Sequence, residues 1–132
     1  MEKYIDRVKS SSLLEDRRGA CRSLRACSKK YRVEVGAQGL ETLLEVLEVV
    51  QDSETASHVL EILCNVTYSG VFEEETPNAF NVGEQFTEIF LKKKENVATI
   101  INLLDDYDFH VRLPAIRLII NLLSNKYVVL FL

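Results

Sequence analysis

Apolar residues recur along this chain at three- and four-residue intervals, the spacing of one face of an α-helix. Leu13, Ala20, Leu24, Cys27 and Tyr31 share one such face, and Leu40, Leu43, Leu44 and Leu47 a second. Val59, Leu60, Leu63 and Val66 make a third, Val97, Ile100, Ile101 and Leu104 a fourth, and Ala115, Ile119, Leu122 and Leu123 a fifth. No segment alternates apolar and polar residues convincingly at the two-residue period of a half-buried strand, so the pattern predicts an all-α protein.

Local signals place the helix ends. Ser12 and Glu15 stand at the spacing of a capping box, in which each side chain satisfies the other's free backbone N–H. Ser53 and Asp108 are good N-cap residues. Gly36 and Gly39 are expected to break the chain before the Leu40 helix. Pro114, which has no N–H to donate, is expected where a short helix ends near Leu113 and a longer one begins.

The helices repeat. Residues 20–27 align with residues 59–66, an offset of 39, and these with residues 115–122, an offset of 56; apolar residues match at the first, second, fifth and eighth places. Residues 40–47 align with 97–104 at an offset of 57. The longer offsets contain an acidic stretch at 70–85, with Pro77 and Gly83, that reads as an inserted mobile surface loop. Without it the period is roughly forty residues, that of armadillo and HEAT arrays. One such unit cannot bury its own apolar face, so units stack into a solenoid. The expected architecture is an armadillo-like α-solenoid of about three repeats, 1–36, 37–69 and 84–124, with residues 125–132 an atypical, truncated end.

Charge is segregated. Residues 1–32 carry ten Lys/Arg against four Asp/Glu, residues 33–91 twelve Asp/Glu and no Lys or Arg, and residues 92–132 six against four. The N-terminus has no apolar core of a signal peptide. The longest apolar run, Val128 to Leu132, is far short of the ~20 residues of a spanning helix. A cytoplasmic protein is expected, with Cys21, Cys27 and Cys64 as reduced thiols.

Several runs resemble a known family: SSLLEDRR at 11–18, SKKYRVEVG at 28–36, QFTEIF at 85–90, ENV at 95–97 and DFHVR at 108–112. Across residues 3–124, with the acidic stretch least alike, the chain resembles the N-terminal armadillo head of the general vesicular transport factor family, the long vesicle tethers of endoplasmic-reticulum-to-Golgi traffic. The resemblance implies a vesicle-tethering role in intracellular protein transport, and peripheral association with Golgi and transport-vesicle membranes. It implies protein partners among Rab-family GTPases, golgins and SNARE machinery. It also implies a long dimeric coiled coil beyond the head, for which this chain has no heptads. The alternative is a generic armadillo adaptor that reads extended peptides, as in cargo or nuclear transport.

Two constellations are candidate partner-binding sites. Arg18, Arg22, Arg25, Lys29 and Arg32 fall within a narrow arc of one helical face, and like charges at that spacing repel. An acidic partner or anionic lipid head groups would relieve the repulsion; so would exposure to solvent or pairing with the chain's own acidic segment. Asn65 and Asn121 occupy equivalent repeat positions, where armadillo proteins of the peptide-binding kind clamp an extended backbone; structural bonding to neighbouring loops is the other reading. The acidic net charge disfavours nucleic acid. Cys21 and Cys27 are six residues apart, and no Cys-x-x-Cys pair exists, so no metal is expected. Asp105, Asp106 and Asp108 read as turn and cap residues. No nucleophile elbow, phosphate-binding glycine loop or His-Glu-x-x-His is present, so neither catalysis nor a cofactor is expected.

Overall fold

A computed structural model describes residues 1–75, 81–106 and 108–125. Its elements are seven α-helices: α1 (Glu2–Ser10), α2 (Leu14–Cys27), α3 (Arg32–Val49), α4 (Ser53–Val66), α5 (Val82–Leu91), α6 (Lys94–Leu103) and α7 (Phe109–Ser124). No strand occurs among the described residues. The final residues 126–132, and with them most of the atypical end read at 125–132, lie outside the described part.

The helices form two layers. In one, α2 packs on α4 and α4 on α7; in the other, α1 packs on α3 and α3 on α6, while α5 bridges α4 and α6. The helix pairs α1–α2, α3–α4 and α6–α7 cross between layers, so each pair is a brick laid against the next. The apolar stripes face the seam. Leu40, Leu43, Leu44 and Leu47 are buried, as are Val59, Leu60, Leu63 and Val66. Burial of such side chains is the main stabilising term, at roughly 1.5–3 kcal/mol each relative to exposure. The outer stripes are only partly covered: Leu13 and Tyr31 in the first, Ile101 in the fourth and Leu123 in the fifth are exposed.

Helix ends depart from the sequence reading in identifiable ways. There is no capping box at Ser12 and Glu15. Leu13 is the N-cap of α2 without a side-chain bond, and Glu15 instead reaches Arg18 at 2.9 Å. The cap of α4 is Asp52, one residue before Ser53, and its carboxylate accepts the Thr55 N–H. Asp108 does cap α7, accepting from the His110 N–H.

Gly36 and Gly39 do not break the chain; both lie inside α3 and are buried. Each faces a neighbour that needs the missing β-carbon's space: Phe86 of α5 lies across Gly36, and Ile5 of α1 against Gly39. Close packing overrides the helix cost of glycine, about 1 kcal/mol. Pro114 likewise sits within one continuous α7 instead of dividing two helices. Its ring is buried, and the carbonyl left without an N–H donor belongs to His110, which is exposed to water.

The acidic stretch is more ordered than a mobile loop at both ends. Val82 already begins α5, and Glu75 has its side chain only 2% exposed. At α5's start the chain passes through Asn81 in the left-handed conformation, φ 57°, which Asn tolerates better than most residues. Gly83 follows, and any β-carbon there would overlap the Tyr68 carbonyl oxygen.

Candidate protein-binding groove

The α2–α4–α7 layer is stacked in the register that the repeat predicts, so equivalent positions line one groove. Place six of the aligned segments supplies Arg25, Cys64 and Ile120, and place seven supplies Ala26, Asn65 and Asn121. Place three adds Glu61 and Arg117. Lys29, Tyr68 and Phe72 close one side, and the groove holds about 560 Å³.

The basic stripe does not act as one unit. Arg18 is consumed within the chain: its guanidinium donates to Asp52 at 2.6 and 2.9 Å and to Glu15 at 2.9 Å. Hydrogen bonding to Arg18 holds the Asp52 carboxyl well below the usual carboxylate range, helped by donation from Thr55. Arg22 sits between Glu15 and Glu54 at 3.6 and 3.7 Å. Arg25 donates to His58 Nδ1 at 3.0 Å and approaches Glu61 at 3.4 Å. An arginine can only donate, so His58 Nδ1 must accept here. Arg25 is still 40% exposed at its side chain, and surface pairs of this kind contribute at most about 1 kcal/mol.

Arg32 is not on the surface at all. It opens α3, its side chain is 1% exposed, and it pairs with Glu75 at 2.9 Å. Its remaining donors satisfy the carbonyls of Asn65 at 3.3 Å, Tyr68 at 2.8 Å and Gly70 at 2.7 Å. The stripe reading fails for Arg32 because helix α2 ends at Cys27; the chain turns before Arg32, so a single helical wheel does not apply. Glu75 also accepts the Phe72 N–H at 2.8 Å, so the buried pair fixes the segment that carries Tyr68 and Phe72. Those rings stack at 4.6 Å, and Lys29 Nζ lies 5.4 Å from the Phe72 centroid.

Asn65 and Asn121 both face the groove, but their amide N–H groups are engaged. Asn65 donates to Ser28 Oγ at 2.8 Å, tying α4 to the end of α2. Asn121 donates to the Cys64 carbonyl at 2.9 Å, tying α7 to α4. Each therefore stitches neighbouring repeats.

The structure brings Arg25, Lys29, Asn65 and Asn121 together in one groove, leaves Arg18 and Arg22 farther along α2 among acids, and buries Arg32. Sequence reasoning missed Arg117, Ile120, Tyr68 and Phe72. Arg117 shares place three with Arg22 and Glu61, so the repeat alignment contained that signal; nothing local marked Tyr68 or Phe72. Arg117 is exposed and makes no ion pair or side-chain hydrogen bond among the described residues.

Burial pushes the Cys21 thiol up to about 11 and Cys64 up to about 12, and burial also raises Cys27. Among the described residues no three His, Cys, Asp or Glu are placed to hold a metal ion, and no helix is long and apolar enough to cross a membrane.

Stacked helical bricks, inter-repeat asparagine stitches and a groove of mixed charge define an armadillo-like helical solenoid. The comparisons with known proteins agree and narrow the class. The chain is 46% identical to the rat general vesicular transport factor p115 over 130 residues, 95% of this chain and 14% of that protein. It is 45% identical to the human p115 over the same span, and 24% identical to the fission yeast intracellular protein transport protein uso1 over 127 residues. A crystal structure of Uso1-1 superimposes with a TM-score of 0.79 at 21% identity, covering 96% of this chain and 22% of that one. No protein-family model matches. Over nearly all of its length the chain is similar to the general vesicular transport factors, and it spans 14% of the length of the curated p115 relatives it matches.

Proposed function

We propose that this chain is a protein-binding piece of a vesicle-tethering factor in endoplasmic-reticulum-to-Golgi and intra-Golgi traffic. The observation that carries the reading is sequence identity of 46% across nearly the whole chain to a vesicular transport factor. The fold supports it: a helical stack with an open groove can bind without chemistry. The partner is a protein of the transport machinery, foremost a Rab-family GTPase, with golgins and SNARE proteins as the other classes. Residence is cytoplasmic, with peripheral attachment at Golgi and vesicle membranes.

Within the groove, Arg25, Lys29 and Arg117 provide three cations against Glu61, and Ile120, 55% exposed, provides an apolar contact. Such a surface suits a partner that presents carboxylates beside an apolar side chain. Asn65 and Asn121 keep the wall of the groove in register. Arg18, Arg22 and Arg32 then contribute by holding the repeats together.

The test is calorimetric titration with a purified Rab-family GTPase of this pathway in its GTP- and GDP-loaded forms. Binding of the GTP form, weakened roughly tenfold by Arg25→Glu with Arg117→Glu at unchanged helicity, is expected. No binding of either form by the folded chain would contradict the reading.

A further inference from the structure

A second groove lies on the opposite layer, between α3 and the α5–α6 turn, and holds about 610 Å³. Leu40, Leu44, Phe86 and Ile89 form its apolar wall. Three of these are nearly buried, whereas Ile89 is 48% exposed. Gly36 on α3 leaves the space that the Phe86 ring of α5 occupies.

Its α3 rim is Glu41, Glu45 and Glu48, all exposed. None of the three makes an ion pair within the described residues. This contrasts with the other layer, where Asp52, Glu54 and Glu61 are met by Arg18, Arg22 and Arg25. The arginines of α2 answer the acids of α4 and leave the acids of α3 unanswered. Like charges at these spacings repel one another. Glu95 adds a fourth acid, and Lys92 and Lys93 also line the groove.

We propose that this groove docks a basic amphipathic helix from a partner protein. The spacing argues for a helix: Glu41, Glu45 and Glu48 recur at the pitch of α3, about 5.4 Å per turn, which is also the pitch of Lys or Arg on a helix laid alongside. Apolar residues on the adjoining stripe of that helix enter the groove against Leu40, Leu44 and Ile89. Charge complementarity sets the sign of the partner, and the acidic rim disfavours an anionic membrane. The proposal does not depend on what the α2–α4–α7 groove binds.

The probe is a synthetic 18-residue Leu/Lys amphipathic helix, with a control in which every Lys is Glu, titrated into ¹⁵N-labelled protein. The expected result is chemical-shift change concentrated at residues 37–48 and Ile89, with no binding of the Glu peptide. Glu41→Lys with Glu45→Lys should weaken binding roughly tenfold. Ile89→Asp should also weaken it, although that variant adds negative charge. All substituted residues are exposed, and circular dichroism confirms that each variant is folded. Shifts centred elsewhere, equal binding of the Glu peptide, or indifference to either variant set would overturn the proposal. So would phosphatidylserine vesicles engaging the same residues more tightly than the peptide.

Discussion

Asp52 shows how much one side chain can join. It caps α4 through Thr55, and it receives Arg18 from α2 in two short hydrogen bonds. Loss of the cap alone in Asp52→Ala should cost about 1 kcal/mol, read from the urea midpoint. The pH dependence follows from the direction of its shift. The folded carboxyl titrates below its ordinary value near 4, so its contribution is complete above that value and is lost as pH falls through and below it. Asp52→Asn, which keeps a capping group but no charge, should therefore flatten the acid limb of a stability–pH profile below about pH 4. An unchanged slope would show that the pair does not hold in solution. Two glycines make an opposite pair. A β-carbon at Gly83 overlaps backbone, and Gly83→Ala should destabilise by about 1–3 kcal/mol. One at Gly19, inside α2, meets nothing within 4 Å, so Gly19→Ala should stabilise by about 0.5–1 kcal/mol. Thermal unfolding of both variants checks the signs.

At the scale of elements, the apolar period identified α2, α3, α4, α6 and α7, because burial in the stack largely follows the same period, but it left α1 and α5 unread. It identified their ends poorly. Ser12 and Ser53 are chemically fit caps, but the chain's entry geometry selects Leu13 and Asp52 instead. Gly36, Gly39 and Pro114 carry breaker chemistry, yet their role is contact between helices, which no local rule reads. The same holds for Arg32 and Glu75. Each resembles a surface charge in sequence, and only the turn after α2 brings them together under the Tyr68–Phe72 segment. Removing one partner leaves a buried charge uncompensated, so Glu75→Ala should cost about 3 kcal/mol or more. Urea unfolding measures that loss, and proton NMR of the Tyr68 and Phe72 rings should show the segment released. A loss within the range of an exposed pair, below about 1 kcal/mol, would mean that Arg32 finds water or another acid.

At the scale of the molecule, the solenoid was legible because three segments align in register and that register is what stacks. The groove was half legible. Asn65 and Asn121 mark it, and the same alignment contains Arg117, but Arg18, Arg22 and Arg32 belong to the stack's internal bonding. The uneven distribution of charge along the chain becomes two distinct faces: one where α2 neutralises α4, and one where the acids of α3 stand open. The proposed function requires the α2–α4–α7 face to receive a protein of the vesicle-transport machinery. A chemical-shift footprint of a GTP-loaded Rab-family GTPase on the ¹⁵N-labelled chain tests it most directly. The largest shifts are expected on Lys29, Asn65, Arg117 and Ile120; a footprint that leaves those four residues unmoved would rule out this face as the docking surface.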